Sequence, residues 1–135
     1  MNSFLKQGRK LVAEGKLEEA VALYRQAIAQ RPNFAWYYYG LGNALTEQGN
    51  YKKAVDAYCQ AIAINNTSAL FYCDLGRALQ KSDALDFDRF LEYYQNAILI
   101  GNSHDRCNQI YLNLAVKLVE EGYFSQLLNF YRQSF

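Results

Sequence analysis

Cys59, Cys73, Cys107 and the lone histidine, His104, are the residues of this 135-residue chain most capable of nucleophilic or metal chemistry. A zinc site draws four thiolate or imidazole ligands, commonly from closely spaced cysteine pairs. These three cysteines form no such pair, so no metal is expected. Their odd count reads as reduced thiols of a cytoplasmic protein. His104 has Asp105 beside it and Cys107 close by, but neighbours in a polar loop do not make a triad, whose geometry is tertiary. Gly40-Leu41-Gly42 lies in a helical stretch with no strand before it, unlike a dinucleotide fingerprint. Gly15-Lys16 lacks both the spaced upstream glycine and the following Ser or Thr of a phosphate loop. No catalytic residue and no cofactor site emerge, and the chain is not expected to be an enzyme. Asn65-Asn66-Thr67 and Asn66-Thr67-Ser68 match the glycosylation sequon, which matters only in a secreted chain. They are read instead as a loop whose Asn and Ser cap helices.

Composition narrows the partners. The formal net charge is +1, and half of the residues are apolar. Nucleic-acid binding calls for a strong basic field, so none is expected. No run approaches the length of a membrane span. Residues 1–10 read as an amphipathic helix rather than a leader, which points to a cytoplasmic location. The twelve tyrosines and the single proline fit a packed domain rather than a disordered one.

The elements that position these residues repeat. Gly8, Leu11, Gly15, Ala20, Val21, Tyr24, Gln26, Ala27, Ile28 and Ala29 recur 34 residues later as Gly42, Leu45, Gly49, Ala54, Val55, Tyr58, Gln60, Ala61, Ile62 and Ala63. A fixed period of this size marks stacked units, each burying an apolar face on its neighbours. Within a unit the apolar spacing is helical: Ala20, Val21, Tyr24, Ala27 and Ile28 form one stripe. Gly15 punctuates two helices and Pro32 ends the unit. The second unit predicts helices over 35–48 and 52–64. A third begins near Ala69, with a longer turn over 82–86 and Asp86 placed to cap the next helix. A loop over 101–106 precedes a fourth.

These residues resemble the tetratricopeptide repeat family. Its pattern of a large aromatic, Leu-Gly, a large residue, a Gly turn, Ala, an aromatic, Ala and Pro is met by Tyr38, Leu41-Gly42, Leu45, Gly49, Ala54, Tyr58 and Ala61, with Asn66 in place of proline. The first unit supplies Phe4, Gly8, Leu11, Gly15, Ala20, Tyr24, Ala27 and Pro32. Tyr72, Leu75-Gly76, Leu79, Tyr94 and Ala97 carry it into the third, and Tyr111, Leu114, Ala115, Leu118, Gly122 and Tyr131 into the fourth. The resemblance implies an all-α fold, an α-α superhelix (solenoid) of about four helix-turn-helix units over 1–34, 35–68, 69–104 and 105–135. Phe90 and Leu127 stand where the family has a small Ala, and such overpacking costs about 1–3 kcal/mol, so those pairs are expected to splay. The last helix carries Leu127, Leu128, Phe130, Tyr131 and Phe135 where the family ends in a polar cap. The chain is therefore expected to be a piece of a longer protein, or to form a homo-oligomer through this apolar helix.

The resemblance also implies a concave groove, lined by the first helix of each unit, that holds a protein or peptide partner. The groove positions carried over are Asn2, Leu5, Lys6, Arg9 and Val12; Trp36, Tyr39, Gly40, Asn43 and Glu47; Leu70, Cys73, Asp74, Arg77 and Lys81; and Gln109, Leu112, Asn113, Val116 and Glu120. Trp36 and Tyr39 are not required by the framework and are expected to anchor the ligand. Arg9, Asn43, Asp74, Arg77 and Asn113 are expected to orient it. Chaperone-binding members grip a C-terminal carboxylate with Lys, Asn and Arg, but the matching places here hold Leu5, Arg9, Gly40, Leu70 and Asp74. Capture of an EEVD tail is not expected. The alternative reading is an accessory region of a multidomain bacterial glycosyltransferase or methyltransferase.

Overall fold

The computed structural model describes residues 2–82, 87–101 and 105–134. They form helices α1 (Ser3–Ala13), α2 (Leu17–Gln30), α3 (Ala35–Glu47), α4 (Tyr51–Ile64), α5 (Ala69–Lys81), α6 (Phe87–Gly101), α7 (Asp105–Glu120) and α8 (Phe124–Ser134). No strand occurs among the described residues.

The helix ends follow from side-chain chemistry. Asn2 Oδ1 accepts from the Phe4 and Leu5 amides at 2.9 and 3.4 Å, satisfying donors that the first turn leaves free. Gly15, Gly49 and Gly122 stop α1, α3 and α7 with φ of 76°, 79° and 99°, a conformation that side chains disfavour. In each case the next amide reaches back to the helix, as in Lys16 N–H to Leu11 O at 2.9 Å and Asn50 N–H to Leu45 O at 2.9 Å. Arg31, held extended by Pro32, ends α2. Asn65 orders the α4–α5 turn by accepting from the Thr67 amide and hydroxyl at 3.1 and 2.8 Å. Ser68 precedes α5 without a side-chain capping bond, so the capping expected of it is not seen. Of the expected loop over 101–106, Gly101 belongs to α6 and Asp105 and Arg106 to α7, while 102–104 lie outside the described residues. Asp86, His104 and Phe135 lie outside the described residues.

Each unit is an antiparallel helix pair whose second helix also packs on the first helix of the next unit. The odd-numbered helices touch one another side by side, whereas the even-numbered helices make no comparable mutual contact. The array therefore curves toward its odd-numbered row. Buried tyrosines fill the gaps. Tyr24 lies between two glycines: a Cβ on either Gly8 or Gly40 would come within 2.4 Å of its ring. Tyr58 sits the same way against Gly42.

The third unit breaks this register. Gly76 faces Ile110 and Tyr111 of α7 rather than Tyr94 of its own unit. Tyr111 donates to the Tyr72 carbonyl at 2.8 Å, so α7 sits close against α5. Tyr94 instead packs among Phe90, Phe130 and Tyr131 and shares a hydrogen bond with the Tyr131 hydroxyl. Phe90 and Leu127 are both buried, and their pairs, α5–α6 and α7–α8, touch over less of their length than α1–α2 or α3–α4.

The expectation of three reduced thiols is corrected here. Cys73 and Cys107 are joined in a disulfide, and Cys59 is free and buried. The close packing of α5 against α7 brings the two face to face without any local Cys-x-x-Cys spacing.

Candidate functional site

The inner row of helices carries one dense cluster of side chains at the junction of α3 and α5. Trp36 and Tyr39 lie one turn apart on α3, with ring centroids 5.5 Å apart in an edge-to-face arrangement. Both pack on the fully buried Phe71 of α5: Trp36 edge-on at 5.0 Å, Tyr39 stacked at 5.1 Å. Each remains half-buried. Most of each ring therefore serves the junction between units, and the remainder is open to solvent.

Polar groups surround these rings. The Tyr39 hydroxyl donates to Asp74 Oδ2 at 2.5 Å, and Arg77 donates to Asp74 Oδ1 at 3.1 Å. Asp74 is only 13% exposed, while Arg77 is 42% exposed, so the guanidinium is the accessible half of the pair. Tyr58 donates to Asn43 Oδ1 at 2.7 Å and lies 3.2 Å from Thr46 Oγ1. Burial pushes the Tyr39 phenol well above its ordinary range, and the Asp74 carboxylate adds to that shift; Arg77 opposes it. Burial does the same to Tyr58. The cluster holds neutral phenols against a carboxylate. It can stack on apolar or aromatic groups and donate hydrogen bonds through Arg77.

Trp36, Tyr39, Asn43, Asp74 and Arg77 are thus brought together. Arg9 stands exposed on α1, and Asn113 is exposed on α7, where it accepts from Gln109 at 2.9 Å. Neither belongs to the central cluster. Several carried-over groove positions sit elsewhere. Asn2 caps α1 and donates to the Tyr37 hydroxyl at 2.6 Å. Leu5 is buried, and Gly40 is covered by the Tyr24 ring. Leu112 and Val116 line a terminal cleft of about 280 Å³ with Ala115 and Val119 of α7 and Phe124, Leu127, Leu128 and Tyr131 of α8. The reason is rotation. Cys107, not Leu112, faces Cys73, and five residues at about 100° each turn Leu112 some 140° away from α5. Phe71 and Tyr58, which shape the cluster from below, were hidden among the framework aromatics.

A cleft of about 500 Å³ also opens between α2 and α4, over Ile28, Leu41, Leu45 and Ala57 with Arg25 and Lys53 at its rim. Its walls are α2 and α4 and α3 forms its floor, and it shares no lining residue with the cluster just described.

Helix pairs stacked at a fixed period, with an aromatic and charged inner face, define a helical-repeat scaffold. The chain belongs to the TPR repeat family, whose profile matches residues 8–46 and 42–83. The fold is shared with the Sgt2 TPR domain from Aspergillus fumigatus (TM-score 0.71, 18% identity, 90% of this chain and 81% of that one). It is also shared with the first TPR of Spaghetti (RPAP3) bound to the HSP90 peptide SRMEEVD (TM-score 0.73, 16% identity, 86% and 90% covered). MamA is similar over 97% of this chain and 74% of its own, with a TM-score of 0.72 and 24% identity. No curated protein matches the chain by sequence.

Proposed function

We propose that this chain is a non-catalytic interaction scaffold that holds an extended or helical segment of a partner protein on its inner face. Trp36 and Tyr39 are the apolar anchors and Arg77 is the orienting donor. The observation that carries this reading is the half-buried Trp36–Tyr39 pair beside the Asp74–Arg77 ion pair. Aromatic and arginine side chains dominate binding hot spots, and covering such a ring stabilises a complex by roughly 1.5–3 kcal/mol. A peptide-bound structure among the similar folds supports a peptide segment as the class of ligand. An acidic C-terminal tail is not the proposed ligand. Leu5 and Gly40 are buried where a carboxylate would need donors, and Asp74 would repel it.

Trp36 is the only tryptophan, so its fluorescence reports on this cluster directly. Peptides selected by display on the intact chain should shift that emission on titration. Their affinity should fall about tenfold or more in Trp36→Ala and Tyr39→Ala variants. Unchanged affinity in both, with far-UV circular dichroism intact, overturns the assignment.

A second reading is favoured by the terminal cleft. Leu112, Val116, Val119 and Phe124 are 47%, 56%, 41% and 58% exposed on one contiguous face, which supports self-association through α7 and α8. Sedimentation velocity over a wide concentration range tests it; a monomer throughout excludes it.

A further inference from the structure

Cys73 of α5 and Cys107 of α7 are bonded across the third and fourth units with their Cα atoms 4.9 Å apart, inside the range a disulfide needs. Three observations separate this bond from an inert staple. The first is that the close approach is built without it. Gly76 leaves room for Ile110 and Tyr111, and Tyr111 donates to the Tyr72 carbonyl at 2.8 Å. Two thiols would therefore still face each other after reduction. The second is access. Cys73 is only partly buried, whereas Cys107 is 4% exposed, so an incoming thiolate has the readier approach to Cys73. Access of this kind helps set the rate of thiol–disulfide exchange and which sulfur is attacked. The third is the absence of a competitor. Cys59 is buried, and burial pushes its thiol up, which leaves little thiolate to scramble the pair.

The α7–α8 pair is where such a bond has the most effect. Among the described residues nothing covers its outer face, and it is held to the array mainly through the α5–α7 and α6–α7 contacts.

We propose that Cys73 and Cys107 are a reversible thiol–disulfide pair, exchanging with glutathione-type thiols and disulfides, that sets how firmly α7 and α8 are held on the array. In the oxidising direction the Cys73 thiolate attacks glutathione disulfide, forms a mixed disulfide and releases one glutathione thiolate. Cys107 then gives up its proton, attacks the Cys73 sulfur and expels the second glutathione thiolate. Two protein thiols are oxidised, one glutathione disulfide is reduced to two thiols, and the reducing direction is the reverse. The proposal does not depend on what the inner face binds.

The test uses the whole chain equilibrated in excess oxidised or excess reduced glutathione, read by alkylation with peptide mass mapping and by amide hydrogen exchange. In the oxidised buffer, the peptides of Cys73 and Cys107 should be linked. In the reduced buffer, Cys73 should alkylate without denaturant and Cys107 more slowly, and amides of α7 and α8 should exchange about tenfold faster while α1 to α4 stay unchanged. Cys107→Ser should give the fast exchange in both buffers, and Cys59→Ser should keep the full response. Should Cys107→Ser not fold, the two wild-type states decide alone. The proposal is overturned by a lasting glutathione adduct on Cys73, by a bond that resists reduction in the native protein, by both thiols staying free in the oxidised buffer, or by equal exchange of α7 and α8 in the two states.

Discussion

Tyr39 donates its phenolic hydrogen to Asp74 across the boundary between the second and third units, and the same carboxylate receives Arg77 on its other oxygen. One largely buried acid thus ties two inner helices together. Tyr39→Phe removes a hydrogen bond to a charged acceptor and should destabilise the chain by about 1–3 kcal/mol in urea unfolding. Asp74→Asn should cost a similar amount, and the double variant less than the sum, because both changes break one bond. Additive losses would show that the two groups act separately.

Gly40→Ala should be more damaging than Gly15→Ala. The new methyl at position 40 would meet the Tyr24 ring at 2.4 Å, and that ring cannot retreat because Gly8 closes its other face. A loss of about 1–3 kcal/mol is expected from this overpacking. At Gly15 nothing lies within 4 Å, so only the positive φ of 76° is penalised, by about 1 kcal/mol. Thermal melts of the two variants check the order.

Alkali should unfold the chain in a defined direction. Tyr39, Tyr58, Tyr93, Tyr94 and Tyr111 all have phenols raised above the ordinary tyrosine value, each chiefly by burial. A raised folded-state pKa favours the neutral form in the fold. The associated stability is complete below about pH 10, the unfolded value, and is lost as pH rises beyond it. The tyrosinate absorbance of these five should therefore appear only above pH 10, together with the loss of helix. A single phase near pH 10 with helix retained would contradict these burial effects.

The helices and four of their turns were legible because they depend on local residues: Gly15, Gly49, Gly122 and Pro32 act on their own backbones. The inner face was legible in part. Trp36, Tyr39, Asn43, Asp74 and Arg77 share positions that repeat every 34 residues, so a regular stack brings them together. What escaped depends on how one unit slides on the next. Gly40 looks free on a helix diagram, yet Tyr24 from the preceding unit covers it. Leu112 and Val116 read as groove residues only if α7 keeps the rotation of α3 and α5. The Cys73–Cys107 and Gly76–Tyr111 contacts give it another.

Val116 is more than half exposed in the terminal cleft, so Val116→Asp should leave the folded monomer within about 0.5 kcal/mol of wild type. If the cleft joins two copies, the same change should convert the associated species to monomer in sedimentation velocity. An unaltered association constant would place that contact elsewhere.

Tyr38 donates its hydroxyl to the carbonyl of Pro32 at 2.9 Å, and one period later Tyr72 donates to the carbonyl of Asn66 at 3.2 Å. The latch reads a main-chain oxygen, which every amino acid supplies. Proline at that place is therefore dispensable to the fastening itself, and a comparison that scores only letters records a lost residue where the molecule keeps the same bond. Divergence can thus replace a signature residue of such an array while the joint it marks persists.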